Sequence, residues 1–297
     1  MTQHLTGATR LLDWGVIRAE GEDAAKFLHS QLTQDFALLG PDQARFAGFC
    51  SAKGRLLATL IAWKPDAGTV LLALPLELLP AIQKRLSMFV LRAKCKLSDA
   101  SSSVALWGAL GSHDARAPWT LERHGDAAHI RLPDNGTQGR WLIAQPPDAP
   151  APATALAEGD WAWSQLEAGL PTVLSATTEQ FVPQMLNLEL LGGVNFQKGC
   201  YPGQEVVARS QYRGTLKRRT YLYELAGEAH PGQEIFHSED PGQPAGLVTN
   251  AAARSGRSLV LAETKIAALA NGSLHLGAPD GPLLTSRPLP YPLTEPQ

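Results

Sequence analysis

The sequence has few cysteines, little net charge and no long apolar run, and each scarcity argues against a class of protein. Its three cysteines are widely spaced and form no CxxC pair, which excludes a disulfide scaffold and speaks against a cysteine-ligated zinc site. That usage fits a reducing compartment. The formal net charge of −2 over 297 residues speaks against a protein that coats nucleic acid, but it leaves room for a local basic patch.

Membrane and export signals are also missing. No stretch approaches the roughly 20 apolar residues that a membrane-spanning helix needs. The longest apolar runs, at 56–63 and 70–74, have the length of strands. The amino terminus lacks the basic start and apolar block of a secretory signal. We therefore expect a cytoplasmic protein that does not associate with membranes.

The sequence signatures of common hydrolases and nucleotide-binding sites are absent. There is no GxSxG, no HExxH, no P-loop and no GxGxxG after a predicted strand. The eight histidines are scattered and lack the spacing of metal ligands. The sequence therefore predicts no metal site.

Hydrophobic periodicity predicts an α+β protein. Strands and helices mix without the strict alternation of a parallel sheet, which favours antiparallel sheets covered by helices on one side. Helices are predicted over 22–39, 76–89, 157–168 and 205–213. Strands are predicted over 10–20, 45–49, 56–63, 70–74, 104–110, 129–132 and 140–144.

Composition divides the chain into four parts. Residues 1–144 form an amino-terminal α+β part, and the Pro/Ala-rich segment 145–155 reads as a linker. Residues 156–219 complete the body of the protein. Short β-prone pieces separated by turn residues fill 220–297, which predicts a small carboxy-terminal β-barrel.

The segment with the least ordinary sequence is KGCYPGQE, residues 198–205. Gly199 and Gly203 permit backbone geometries or close approaches that a Cβ would block. Pro202 suits the first turn of the helix that follows. The segment therefore predicts a tight bend that leads into a helix.

Cys200 lies just before that predicted helix, two residues from Lys198. A helix amino terminus and a nearby ammonium group both favour a thiolate, so the cysteine could be reactive. A structural cysteine in a glycine-rich bend is the alternative. The tetrapeptide PGQE recurs at 231–234, so only the longer run is specific.

A basic cluster follows the motif. Arg209 and Arg213 are four residues apart, so one helix face could present both to a carboxylate or phosphate. A solvated surface is the alternative. The full cluster is Arg209, Arg213, Lys217, Arg218 and Arg219.

Two tryptophans are candidate platforms for a flat ligand. Trp14 and Trp161 each lie near the start of a segment that precedes a helix or a glycine turn. An indole ring can stack on a heteroaromatic ligand, although core packing is the ordinary role of a tryptophan.

Taken together, these motifs resemble a known family. The run GGVNFQKGCYPGQEVVAR, with GLPTV, QFVPQMLNLE and RGTLKRR around it, is similar to the YgfZ-type folate-binding proteins, which are related to the aminomethyltransferase (T-protein) of glycine cleavage. The segments LLDWGVIRAEGEDAAKFLHSQLTQD, FCSAKGRLLATL and LPYPL agree in order, so the resemblance spans nearly the whole chain. It implies two ferredoxin-like-derived parts around a central folate pocket, followed by a β-barrel.

The resemblance also implies site residues and a function. Trp14 and Trp161 would contact tetrahydrofolate or a one-carbon derivative, Arg209 or Arg213 its glutamate tail, and Cys200 would act at the pocket mouth. The remaining matches to the family motif are Lys198, Gly199, Tyr201, Gly203, Gln204 and Glu205.

Three functions follow as hypotheses. The first is an accessory protein, non-catalytic or only weakly catalytic, that supports iron–sulfur cluster assembly or maintenance and the enzymes that thiolate certain tRNAs. The second is a folate-dependent aminomethyl or one-carbon transferase. The T-protein relatives carry a catalytic aspartate in the region that corresponds to residues 71–86. Here Glu77 is the only acidic residue of that region and no aspartate occurs, which argues against this transfer. The third is weak direct binding of tRNA by the basic cluster.

Overall fold

Three antiparallel sheets and four α-helices form the fold of the described residues, 6–113, 115–213 and 215–294, in this computed structural model. The helices are α1 (Ala24–Gln31), α2 (Leu79–Ser87), α3 (Asp160–Glu167) and α4 (Gln204–Tyr212). The strands are β1 (Gly7–Arg10), β2 (Trp14–Glu20), β3 (Ala44–Cys50), β4 (Leu56–Asp66), β5 (Thr69–Pro75), β6 (Lys96–Asp99), β7 (Ala105–Gly111), β8 (Leu121–His124), β9 (Ala127–Leu132), β10 (Gly139–Gln145), β11 (Arg218–Ala226), β12 (Glu234–His237), β13 (Asp240–Arg254), β14 (Arg257–Lys265), β15 (Leu274–Leu276) and β16 (Thr285–Arg287).

The sheets follow one another along the chain, with one exchange. The first sheet has the order β3-β4-β5-β2-β6 and the second has β1-β7-β10-β9-β8, so the first strand of the chain joins the second sheet. The third sheet has the order β15-β12-β13-β14-β11-β16. It curls as a half-barrel, whereas the sequence predicted a barrel. The α+β class is confirmed, and the ferredoxin-like origin of the two parts stays a prediction.

One large core joins the first two sheets. Every residue of β5 is buried, and α1 covers the first sheet with Ala24, Phe27 and Leu28, which recur at helical spacing. Leu142 of the second sheet belongs to the same cluster of buried side chains. Helix α3 connects this body to the third sheet, because its Trp163 and Leu166 pack among buried residues of β11, β13 and β14.

The helix predicted over 22–39 is wrong beyond Gln31. The Thr33 hydroxyl donates a hydrogen bond to the Gly193 carbonyl at 2.6 Å, and the Thr33 N–H donates to the Gly48 carbonyl at 3.0 Å. These bonds draw the backbone out of the helix. Leu32, Phe36 and Leu39, which share the predicted helical spacing, are nevertheless buried.

The Pro/Ala-rich segment is bound along the second sheet. The Ala8 N–H donates to the Thr154 carbonyl at 2.7 Å, and the Leu156 N–H donates to the Ala8 carbonyl at 3.1 Å. Its end therefore continues the sheet beside β1 and leads directly into α3. The division of the chain at 145–155 stays a prediction.

Candidate functional site

A cavity of about 550 Å³ lies where α3 meets the first and third sheets. Its wall comes from the start of β2, the end of β5 with the short 3₁₀ turn that follows, the exposed side of α3, the segment 172–174 and the middle of β13. The volume falls within the roughly 300–1,000 Å³ of small-molecule sites. Segments that are remote in the sequence therefore assemble one cavity.

Trp14 and Trp161, which the sequence predicted as ligand contacts, both line this cavity. Trp14 begins β2 and pairs with Pro75 at the end of β5. Trp161 lies in the first turn of α3, and the guanidinium carbon of Arg140 lies 4.9 Å from its ring centroid. A Cβ at Gly108 of β7 would lie 2.2 Å from the Trp161 ring, so the ring packs where only glycine leaves room.

Arg140 fixes the polar side of α3. The fully buried guanidinium donates from Nε to the Ser164 hydroxyl at 3.0 Å and from Nη2 to the Gln165 side-chain carbonyl. Burial lowers the pKa of Arg140 to about 9, with Arg131 also lowering it and the Asp134 and Glu167 carboxylates opposing the shift. Gln165 also lines the cavity, and because its side-chain carbonyl accepts from Arg140, its amide NH₂ group is the part of the side chain left to donate.

Carboxylates and an amide complete the lining. Glu77 accepts a hydrogen bond from the Ser175 N–H at 2.8 Å, and Asp13 lies beside Trp14. The Asn250 side chain of β13 accepts a hydrogen bond from the Thr172 N–H at 2.9 Å and donates one to the Thr172 carbonyl at 2.8 Å. These two bonds connect the third sheet to the body. In the described part of the chain, neither arginine nor lysine lines the cavity.

The KGCYPGQE segment lies outside this lining, among the residues that the structure describes. Gly203 takes a φ of +80° as the N-cap of α4, and a Cβ there would lie 2.4 Å from the Ser51 carbonyl oxygen and 2.6 Å from the Gly54 nitrogen. The helix begins at Gln204, so Pro202 lies before the helix. The prediction that Pro202 belongs to its first turn is wrong. Gln204 is half-buried and Glu205 is exposed.

The motif's lysine is buried and its cysteine is exposed. The Lys198 ammonium donates to the carbonyls of Leu32 at 3.1 Å and Gly199 at 3.2 Å, and it lies 4.7 Å from the Tyr201 ring centroid. Burial lowers the pKa of Lys198 to about 8, against the opposing charges of Asp35 and Cys200. Cys200 is solvent-exposed. The sequence placed the two tryptophans and Cys200 at one pocket, but the structure separates them. The tryptophans line the indole-lined cavity, and Cys200 lies in a separate group with Lys198, Gly199 and Tyr201.

The basic cluster is divided as well. Arg209 and Arg213 are exposed on α4 and at its end, and they do not line the cavity within the described chain. Arg218 pairs with Glu263 at 2.8 Å, and the buried Arg219 pairs with Glu189 at 2.8 Å. The last two arginines therefore hold the fold together.

Comparison with known proteins identifies the family. No family model matches the chain. The chain is 31% identical to the tRNA-modifying protein YgfZ of Aliivibrio fischeri (strain ATCC 700601 / ES114), over 75% of this chain and 72% of the relative. It is 30% identical to the tRNA-modifying protein YgfZ of Sodalis glossinidius, over 96% of this chain and 93% of the relative. The chain belongs to the YgfZ family. The resemblance that its motifs predicted is confirmed.

The YgfZ-family chain shares its fold with a solved enzyme. The crystal structure of glycine cleavage system aminomethyltransferase T from Bartonella henselae matches 96% of this chain and 85% of its own, with a TM-score of 0.73 and 18% identity. At that identity the likeness shows the fold. Within the described residues no helix is long and apolar enough to span a membrane, and no three His, Cys, Asp or Glu side chains are grouped to hold a metal ion.

Sequence reasoning missed several residues that line or support the cavity. Gln165 is one helical turn from Trp161, and that spacing was the available signal. Arg140 and Asn250 come from strands of two other sheets, and no local pattern links them to either tryptophan.

Proposed function

We propose that this YgfZ-family protein binds a reduced folate, tetrahydrofolate or a one-carbon derivative, in the indole-lined cavity. The observation that carries the proposal is that Trp14 and Trp161 line one cavity of about 550 Å³. A pterin is flat and heteroaromatic, and stacking on an aromatic side chain contributes about 0.5–1.5 kcal/mol beyond the area buried.

The polar groups of the wall suit the edge of a pterin ring. The amide NH₂ of Gln165 can donate to the ring carbonyl, since Arg140 already engages the side-chain oxygen of that glutamine. The carboxylates of Asp13 and Glu77 can accept from the ring N–H and amino groups. Donors and acceptors on the wall therefore match acceptors and donors on the ligand.

The glutamate tail extends from the cavity into solvent in this proposal. Among the described residues, none of those lining the cavity is basic, and the side chains of Arg209 and Arg213 lie elsewhere, on α4. These two arginines then make no contact with the tail, and affinity depends on the pterin end.

The cellular role that we infer is accessory. The relatives are named tRNA-modifying proteins, and we propose that this protein supports tRNA modification in the cytoplasm. In this role it assists the assembly or maintenance of iron–sulfur enzymes such as those that thiolate tRNA, and Cys200, which is exposed, is its functional thiol. Direct contact with tRNA through the exposed Arg209 and Arg213 would be weak.

A titration of tryptophan fluorescence with tetrahydrofolate tests the binding site. We expect saturable quenching in the wild type and, in Trp161→Ala, an affinity loss on the order of tenfold, because a lost stacking platform is worth about 0.5–1.5 kcal/mol and the burial under it is lost too. Trp107→Phe is the matched control, because Trp107 is half-buried in β7 and is not part of the cavity wall. Equal affinities of Trp161→Ala and the wild type would overturn the assignment.

A further inference from the structure

A second cavity, of about 870 Å³, lies against the face of α3 that is turned away from the indole-lined cavity. Its wall comes from the loop after β9, the segment 155–157, both ends of α3, and residues of β11, β13 and β16. Among the described residues, none lines both cavities. The volume falls within the roughly 300–1,000 Å³ of small-molecule sites, and the proposed folate binding does not use it.

The wall of this second cavity contains a buried carboxylate that accepts no hydrogen bond. Asp160 lines the cavity from the first turn of α3, and its side chain is only 10% exposed. Within the described chain its one charged partner is Arg254, whose Nη1 atom lies 3.5 Å from Oδ1, beyond the 2.7–2.9 Å of a charge-assisted hydrogen bond. Neither carboxylate oxygen is fully enclosed by protein. Because a largely buried carboxylate without donors is costly, the cavity favours a ligand that donates to Asp160.

The other carboxylate of the wall is already engaged. Glu167 accepts hydrogen bonds from Trp163 Nε1 at 3.0 Å and from Asn135 Nδ2 at 3.1 Å, one on each oxygen. Asp160 is therefore the carboxylate of this wall that is left to receive a donor from a ligand.

Arginines supply positive charge where the second cavity opens to solvent. The guanidinium carbon of Arg254 lies 4.5 Å from the Trp163 ring centroid, so the ring supports the side chain beside Asp160. Arg287 also lines the cavity, and it shares the Glu224 carboxylate with Arg257. One carboxylate balances only one of these two cations. Positive charge is therefore left for an anionic group of a ligand.

The neighbouring opposite charges favour a ligand that carries both signs. A simple cation that approaches Asp160 is repelled by Arg254, and a simple anion that approaches Arg254 is repelled by Asp160. An α-amino acid carries its ammonium and carboxylate groups on one carbon atom, so both can be matched at once. The apolar side chains of Leu156 and Leu222, which also line the cavity, leave room for the amino-acid side chain.

We propose that the second cavity binds a free α-amino acid. The ammonium group donates to Asp160, and the carboxylate accepts from Arg254, whose guanidinium can hold it by two parallel hydrogen bonds. Arg287 adds positive charge on the carboxylate side. The ligand thereby provides the donor that Asp160 lacks.

Isothermal titration calorimetry with the standard L-amino acids, one at a time and without folate, tests this site. We expect saturable binding of at least one of them. Its methyl ester and its N-acetyl derivative should each bind on the order of tenfold more weakly, since each loses one charge-assisted hydrogen bond. A dipeptide, which separates the two charges, should also bind more weakly. If no amino acid binds, or if the dipeptide binds more tightly, the assignment is wrong.

Two variants separate binding from a structural role. Asp160→Asn should weaken the amino acid and its methyl ester, which both keep the ammonium group, but not the N-acetyl derivative. Arg254→Met should weaken the amino acid and the N-acetyl derivative, but not the ester. Asp126→Asn is the control, because Asp126 is exposed in the turn between β8 and β9 and is not part of the wall. An equal loss for all three ligands in both variants would overturn the proposed contacts.

The calorimetric result is independent of the folate proposal. The titration contains no folate, and within the described chain the two cavities have separate walls. Amino-acid binding without quenching by tetrahydrofolate would leave the second cavity as a site and remove the folate assignment. Quenching without amino-acid binding would have the opposite meaning.

Discussion

At the scale of single residues, Arg140 does the most to shape the cavity. It is fully buried, yet its guanidinium lies over the Trp161 ring and bonds Ser164 and Gln165. A planar donor of this kind can hold an aromatic ring and two polar groups in one arrangement, which a lysine cannot. The side of α3 that faces the cavity is therefore held in place by a residue of the second sheet, behind the helix.

Lys198 gives a residue-scale prediction about pH. Burial lowers its pKa to about 8 in the folded protein, whereas an unfolded lysine titrates near pH 10.4. Between these values the unfolded chain binds more protons than the folded protein, so Lys198 makes stability rise with pH. We expect the free energy of unfolding of the wild type to increase relative to Lys198→Met between about pH 8 and pH 10.4.

Urea denaturation of both proteins across that window measures the difference. Other lysines and tyrosines titrate there too, but they are common to both proteins and cancel. A constant difference between the wild type and Lys198→Met would show that the amine has an ordinary pKa.

At this scale the structure brings two of the predicted site residues together and separates two others from them. Trp14 and Trp161, predicted as contacts of one ligand, line one cavity, and their contact with folate stays a prediction. Arg209 and Arg213 were predicted at a ligand tail and lie apart from the cavity, because a spacing of four fixes a helix face but not what that face meets.

At the scale of elements, β7 and α3 pack closely together because the residue of β7 at their contact is a glycine. Gly108 lets the Trp161 ring lie directly on the strand. The same close approach explains why the ring is only half-exposed although it lies in the first turn of a helix.

Gly108→Ala should move the tryptophan. The new Cβ would lie 2.2 Å from the ring, so the helix or the strand must shift, at a cost of about 1–3 kcal/mol for overpacking. We expect weaker folate binding and an altered emission spectrum, both measured in the fluorescence titration. Gly242→Ala is the control, because its Cβ would meet no atom within 4 Å. Wild-type affinity in Gly108→Ala would show that the contact does not position the ring.

Element prediction was most reliable for strands and least reliable where a side chain redirects the backbone. The predicted strands at 45–49 and 70–74 fall within β3 and β5. The helix predicted over 22–39 ends at Gln31, since Thr33 bonds two segments that are distant in the sequence. Hydrophobic periodicity cannot predict such hydrogen bonds, because it indicates only which residues are buried.

At the scale of the whole molecule, one buried ion pair joins the third sheet to the body. Arg219 of β11 donates to Glu189 at 2.8 Å, to Asn187 at 3.0 Å and to the Thr294 carbonyl at 2.8 Å. Burial raises the pKa of Glu189, and Arg219 opposes that shift. The arginine therefore joins the body, the third sheet and the carboxy-terminal segment.

Arg219→Met should destabilise the protein by about 3–5 kcal/mol, because it leaves the Glu189 carboxylate buried without its cation. Urea denaturation measures the loss. The double variant Arg219→Met with Glu189→Leu should recover much of it, since removing both partners leaves no uncompensated charge. If the double variant is no more stable than Arg219→Met, the loss comes from the other bonds of Arg219.

The cavity belongs to no single part of the chain, and this has a consequence for synthesis. Its wall needs residues near positions 13, 75, 161 and 250, and Asn250 holds Thr172 from the third sheet. A nascent chain emerging from the ribosome therefore contains every strand of its first sheet long before it contains the whole wall of the cavity. A ligand of this cavity would bind only the assembled molecule, and by mass action it would favour chains that have completed their last sheet. Occupancy of the cavity would thus report in the cell on how much of the protein has finished folding.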